Sequence, residues 1–192
     1  MAVIHRKRGK LFVILLCVVI ILIDQYTKLW VFSHMKLREL RNMGIIDFYY
    51  ITNPGICMGY EFSWKYWKIL LLVLRFALAY YVVRKTFYTS VQYTYQRTRL
   101  CGAGLILGGA LGNCIDVIFY GVFLGNAPDY APFKLFYGQV IDMLCFRRAP
   151  LMIPEWVPIF GGPHFIPIFN IADLAIISGA ILFIFFDKRK VE

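Results

Sequence analysis

A mainly α-helical membrane protein is the fold class the sequence predicts. It has four transmembrane helices, both termini cytoplasmic, and a small β-rich element formed by the outer loops. Three observations carry this. Hydrophobic residues make up 60% of the 192 positions and charged residues 17%, where an average soluble domain carries about 25% charged. Four separate apolar stretches are long enough to cross a hydrocarbon core of about 30 Å. The net charge of +10 is placed unevenly along the chain, and such asymmetry marks the cytoplasmic side of a membrane protein.

The spans are taken in order. Leu11 to Ser33 is interrupted only by Asp24 and Lys28. His5-Arg6-Lys7-Arg8 precedes it as in a signal peptide, but the apolar run continues to Trp30 with no small-x-small cleavage site. It reads as an uncleaved anchor. The second span covers Tyr66 to Val83, with Arg75 near its middle; Arg75 reads as snorkelling or internally paired. The third covers Leu100 to Phe123 with Asp116, and the fourth Phe165 to Phe186 with Asp173. Residues 1–10, 84–99 and 187–192 hold 11 Lys and Arg in 32 positions, and residues 34–68 and 124–164 hold 8 in 76. The dense set is cytoplasmic by the positive-inside rule, which leaves loops 34–65 and 124–164 outside. Residues 1–192 read as one integral membrane domain.

In the first outer loop, Ile45 to Thr52 is rich in β-branched and aromatic residues and reads as a strand. Asn53-Pro54-Gly55 follows as a turn, and Ile56 to Phe62 as a returning strand. The second outer loop holds six of the eight prolines and reads as irregular.

Composition excludes several classes. Apolar surface is in excess, so the chain is not disordered. Five cysteines, odd in number and without paired spacing, do not make a disulfide scaffold. Three scattered histidines do not make a zinc site, and no other metal or cofactor is expected. The basic excess has no soluble domain to bind nucleic acid with, and it fits a membrane face.

Ionisable residues inside spans are costly and usually functional. At about 1.5 Å per helical residue, Asp24, Asp116 and Asp173 converge on one level near the outer face. Asn113-Cys114-Ile115-Asp116 and Asn170-Ile171-Ala172-Asp173 repeat one pattern. The i, i+3 spacing sets each amide and carboxylate on one helical face. Asn53 and Asp142 reach the same level from the outer loops. Simpler readings stand beside these. Asp24 and Lys28 are i, i+4 and neutralise each other. Asn113 and Asn170 are interhelical glue, Gly104, Gly108 and Gly112 form a close-packing stripe, and Cys114 is a small core residue.

Three functions fit such a cluster. One is an intramembrane hydrolase with two carboxylates sharing a proton. The second is a small polytopic ion- or proton-coupled transporter. The third is a structural membrane protein with internal polar contacts. One-sided acids and the lack of recognisable halves count against the transporter.

Five blocks then carry a resemblance. They are Asp24-Gln25-Tyr26-Thr27-Lys28; Asn53-Pro54-Gly55 with Gly59; Gly108 to Asp116; Gly138-Gln139-Val140-Ile141-Asp142; and Phe169 to Asp173. In this order they resemble the bacterial lipoprotein signal peptidases, or signal peptidase II. The resemblance implies an aspartic endopeptidase of the bacterial cytoplasmic (inner) membrane, a multi-pass protein with its active site near the outer, periplasmic face. It implies cleavage of a diacylglyceryl-modified prolipoprotein just before the lipidated cysteine. It also implies inhibition by globomycin, contact with membrane lipids, a monomer and no cofactor. Asp142 and Asp173 would be catalytic. Asp24, Lys28, Asn53, Gly55, Asn113, Asp116, Asn170 and Ala172 would bind substrate or support the pair. Asp129 lies nearer the third span, but Pro128 and Tyr130 flank it in a loop-like stretch.

The chain departs from the family pattern in places. Val117 stands where Arg is frequent, and Cys57-Met58 replaces a small residue followed by Phe. Gly121 and Gly138 compete for one motif glycine, and their separation implies an insert of 17 residues. Asp142 and Asp173 are also further apart than usual.

Overall fold

The computed structural model describes residues 2–44, 46–54, 64, 66–87, 97–145, 151–153, 162–165 and 167–185. It is mostly helical with a small antiparallel sheet. α1 (Ala2–His34), α2 (Trp67–Phe87) and α3 (Arg97–Ile115) come first. A π-helical stretch (Asp116–Tyr120) and the short α4 (Gly121–Phe123) extend α3 into one rod. α5 (Ile171–Phe185) is last. Among the described residues two stretches, Lys7–His34 and Arg97–Phe123, are long and apolar enough to cross a membrane, and Ile171–Phe183 is a shorter apolar helix. α2 is long enough but carries Lys68, Arg75, Arg84 and Lys85.

Small residues let α3 sit against both α1 and α5. A β-carbon on Gly104 would meet Leu16, one on Gly108 would meet Ile20, and one on Gly112 would meet Asp24. The stripe foreseen from the spacing thus matches every fourth residue of α1, and the two helices run in the same direction. Gly102 meets Gly179 and Phe183, whereas Gly109 meets Ala172 and Ile176, so α5 runs the opposite way. Close backbone approach of this kind is how apolar helices associate where no water drives them together.

The sheet has the order β1-β2-β3-β6. β1 is Leu40–Arg41, β2 Asp47–Asn53, β3 Val140–Cys145 and β6 Ile168–Phe169; β4 (Leu151–Ile153) and β5 (Gly162–Phe165) pair antiparallel in a separate two-stranded sheet. β2 appears where β-branched and aromatic residues foretold it, but its long partner is β3, 87 residues on in sequence at the Asn53↔Val140 pair. The returning strand expected over Ile56 to Phe62 lies outside the described residues. The second outer loop is not simply irregular, since Val140–Cys145 is a fully buried strand paired on both sides. The fourth span was expected from Phe165, and this start is corrected. Ile168 and Phe169 pair with Cys145 and Leu144, and the helix begins only at Ile171. Local hydropathy cannot separate a short apolar strand from the first turn of an apolar helix.

Two cores result. One lies among the helices around Ala103, Ile106, Val82 and Phe183. The other joins the end of α1 to the sheet around Val31, Tyr50, Tyr120, Ile141 and Met143.

Candidate active site

The site forms where the sheet meets the N-terminus of α5. β6 pairs with the end of β3 and runs through Asn170 directly into α5. Three residues separate Phe169, opposite Leu144, from Asp173, so a single turn of chain carries Asp173 toward the strand that holds Asp142.

Asn170 is the N-cap of α5. Its Oδ1 accepts from Asp173 N at 2.9 Å, and its own N–H donates to Asp173 Oδ2 at 3.2 Å. This is a capping box with Asn and Asp in the two positions. The i, i+3 spacing of Asn170 and Asp173 therefore does not place both within one helix, as the sequence suggested. It closes the helix end instead. The next orphan donor, Ala172 N, donates to Asp24 Oδ1 at 2.9 Å. Buried helix termini need such partners, and here they come from Asn170 Oδ1 and from the carboxylates of Asp24 and Asp173.

The Asn170 amide nitrogen faces away from its helix. It donates to Asp142 Oδ1 at 2.7 Å and to Asn113 Oδ1 at 3.2 Å. Asn113 Nδ2 in turn donates to Asp173 Oδ1 at 2.9 Å. Asn53 Nδ2 donates to Asp142 Oδ2 at 3.0 Å. The register explains that contact, because Ile51 lies opposite Asp142 and Asn53 is the same-face diagonal neighbour. Both oxygens of Asp142 and both of Asp173 thus have donors. Asp142 is 2% exposed. Burial first, and the nearby Asp173 charge second, push its carboxyl up to about 7, against the Asn53 and Asn170 donors and the Lys28 charge.

Behind this pair sits a fully buried ionic cluster. Lys28 Nζ lies 2.7 Å from Asp24 Oδ2 and 2.6 Å from Asp116 Oδ2, and donates to Asn113 Oδ1 at 2.9 Å. The Asp116 contact is the shorter of the two ion pairs. Asp24 and Lys28 do neutralise each other, but the same ammonium also fixes Asn113. With Lys28 and Asn170 both donating to its oxygen, Asn113 must turn its NH2 toward Asp173.

Nine of the ten residues singled out in the sequence fall in this one network: Asp142, Asp173, Asp24, Lys28, Asn53, Asn113, Asp116, Asn170 and Ala172. Gly55 lies outside the described residues, as do Cys57 and Met58. Asp129 is exposed in the loop after α4. Val117 is buried in the π-helical stretch. Next to it, Asp116 receives Lys28 and a hydrogen bond from Gln25.

The sequence reading missed Gln25 and Tyr120. Gln25 Nε2 donates to Asp116 Oδ1 at 2.8 Å and reaches Gly112 O and Asp24 Oδ2 at 3.2 Å. Tyr120 Oη donates to Gln25 Oε1 at 3.0 Å. Gln25 stands beside Asp24 in the motif, and Tyr120 is four residues beyond Asp116. Those spacings were the available signal.

The set of groups, two carboxylates held by buried amides with one of them raised toward neutrality, is suited to sharing a proton and activating water. Among the described residues no group of His, Cys, Asp and Glu could hold a metal ion.

The profile of the family described as signal peptidase (SPase) II matches residues 16–187. A protein named lipoprotein signal peptidase from Amoebophilus asiaticus is 39% identical over 175 residues, covering 88% of this chain and 74% of that one. Another of the same name from Porphyromonas gingivalis is 30% identical over 194 residues, covering 92% and 83%. Two solved bacterial membrane enzymes share the fold. One, at 1.9 Å resolution, has a TM-score of 0.62 at 23% identity, covering 92% of this chain and 94% of the other. The second, at 2.3 Å, has a TM-score of 0.58 at 24% identity, covering 90% and 84%. This chain belongs to the signal peptidase II family.

Proposed function

We propose that this chain is an aspartic endopeptidase of the bacterial cytoplasmic membrane, with Asp142 and Asp173 as its catalytic pair. As a family member it is a lipoprotein signal peptidase, which removes signal peptides from prolipoproteins. The observation that carries the aspartic assignment is the asparagine bridge: Asn170 donates to Asp142, Asn113 donates to Asp173, and the two amides bond each other. Burial supports Asp142 as the member that holds the proton and donates to the scissile carbonyl oxygen. Asp173 takes a proton from the attacking water. The water oxygen bonds the carbonyl carbon, and the tetrahedral intermediate collapses as a proton passes to the departing amine nitrogen. Asp24, Lys28, Asn53, Gly55, Asn113, Asp116, Asn170 and Ala172 hold the site.

In this reading four helices span the membrane with both termini cytoplasmic and the site near the outer face. The parallel course of α1 and α3 and the opposite course of α5 support it. So do the many exposed apolar side chains of α1, among them Leu15, Leu22 and Tyr26. The substrate's cysteine carries a diacylglyceryl group that stays in the outer leaflet and fixes the bond at the depth of Asp173.

The test is cleavage of one precursor, lipidated and unlipidated, by purified protein with and without globomycin. Cleavage of the lipidated form alone, blocked by globomycin, is expected. Equal cleavage of both forms would overturn the substrate assignment. For topology, a cysteine introduced at Ala131 is expected to label from outside and one at Thr89 is not.

A further inference from the structure

The insert between α4 and β3 leaves the rod and returns to the place it left. Phe136 N donates to Ile118 O at 3.0 Å, and Gly138 N to Val117 O at 2.9 Å. Asn126 closes the loop from both directions: its Nδ2 donates to Gln139 O at 2.9 Å and its Oδ1 accepts from Gln139 N at 3.1 Å. Buried Lys68 donates to Tyr137 O and Gly138 O, each at 3.3 Å. A β-carbon on Gly138 would strike Asp116 O and Gly121 N. The two glycines that compete for one motif position thus lie against each other, and the insert is looped out between them.

This pinning sets the depth of the insert. At about 1.5 Å per residue, Ile118 lies roughly 7 Å inside the end of the rod at Phe123. The returning chain at Phe136 therefore runs beside the last turns of an apolar helix, not above them. Both surfaces at this level are apolar and exposed: Phe119 and Phe123 on the rod, Phe133 and Leu135 on the insert, with Tyr130 at its turn. The Phe133 ring rests edge to face on the fully buried Tyr137 ring at 5.2 Å and still leaves 45% of the residue exposed. Exposed Lys134 lies between Phe133 and Leu135 in sequence.

We propose that the looped-out stretch beyond α4, residues 124–137, is an interfacial anchor whose Tyr130, Phe133 and Leu135 enter the outer-leaflet boundary between phospholipid acyl chains and headgroups. Lipid is the occupant because the insert continues the exposed apolar surface of the α3–α4 rod at the same depth. Aromatic residues favour this boundary, and a lysine beside them can reach the headgroups. The insert passes directly into β3, so the anchor holds Asp142 at a set height above the lipid chains of the substrate. The inference rests on the proposed membrane topology.

The test uses the full chain in phosphatidylcholine nanodiscs, with acyl chains brominated near the glycerol or near the bilayer centre. Tryptophan is introduced by Phe133→Trp, and in a separate protein by Leu22→Trp on the exposed face of α1, and emission is compared with the parent. The added Phe133→Trp emission is expected to be quenched most by the shallow bromines, and that of Leu22→Trp most by the deep ones. Unquenched Phe133→Trp emission beside quenched Leu22→Trp emission would overturn the anchor and leave the membrane reading standing. Absence of quenching in both would overturn both. Retained cleavage of the lipidated precursor reports that Phe133→Trp is folded; if it is not, Tyr130→Trp supplies the same readout.

Discussion

Asn170 donates to Asp142 across 2.7 Å while its side-chain oxygen caps the helix that carries Asp173. One amide therefore orients the first carboxylate through its nitrogen and positions the second through its oxygen. Neither end can move without disturbing the other, so the pair is preorganised before substrate arrives.

The first prediction follows for the pair itself. Asp142→Asn and Asp173→Asn each keep the side-chain size and remove the ionisable site. Each is expected to lower the cleavage rate of a lipidated precursor by about a thousandfold or more. The double variant is expected to be no worse than either single one, because the two act as a unit. Asp129→Asn is expected to cleave at the parental rate. A dead Asp129→Asn beside an active Asp142→Asn would reverse the assignment.

Replacing Asn170 by Ala removes the cap and the side-chain contact with Asp142, and keeps the backbone N–H that donates to Asp173. Loss of the cap costs about 1 kcal/mol. Misplacement of the carboxylates is expected to lower kcat by about a hundredfold. A fall in rate far beyond what the unfolded fraction accounts for, measured by cleavage and thermal unfolding of the same sample, checks this.

Lys28→Met leaves Asp24 and Asp116 buried without their shared cation. Breaking a buried ion pair from one side costs about 3–5 kcal/mol, so a markedly lower Tm in detergent is expected. Adding Asp24→Asn to Lys28→Met is expected to recover part of that loss, since contacting residues are not additive. An unchanged Tm for Lys28→Met would show that the cluster is not charged as described.

The pH dependence has a definite sign. The Asp142 carboxyl titrates near 7 in the folded chain and near 3.9 when unfolded. Between these values the folded state holds the extra proton, so stability falls as pH rises through this window. Above about 7 the proton on Asp142 is lost and cleavage is expected to decline. Tm measured at pH 5 and pH 8 should differ less in Asp142→Asn than in the parent. An Asp142→Asn variant with the full parental pH dependence of Tm would contradict the assignment of that titration.

Much of the site was written in local spacing. Counting residues along the helices set Asp24, Asp116 and Asp173 at one level, and in the fold the three share contacts with Lys28 and Asn113. The glycine stripe was legible for the same reason: every fourth residue of one helix meets every fourth of its neighbour. Strand β2 showed in its β-branched and aromatic run.

What the sequence could not decide was pairing between distant segments. No local pattern at Asp47–Asn53 names a partner at Val140–Cys145, because a strand's hydrogen bonds are satisfied by any suitable edge and only the packed whole selects one. That choice brought Asn53 to Asp142. The same pairing turned Ile168 and Phe169 from an expected helix into a strand, which moved Asn170 to the N-cap and gave its amide to Asp142. The acids and amides themselves are a property of the sequence. Their assembly into one hydrogen-bonded pair depends on sheet register and helix capping, which exist only when segments far apart in the chain are brought together.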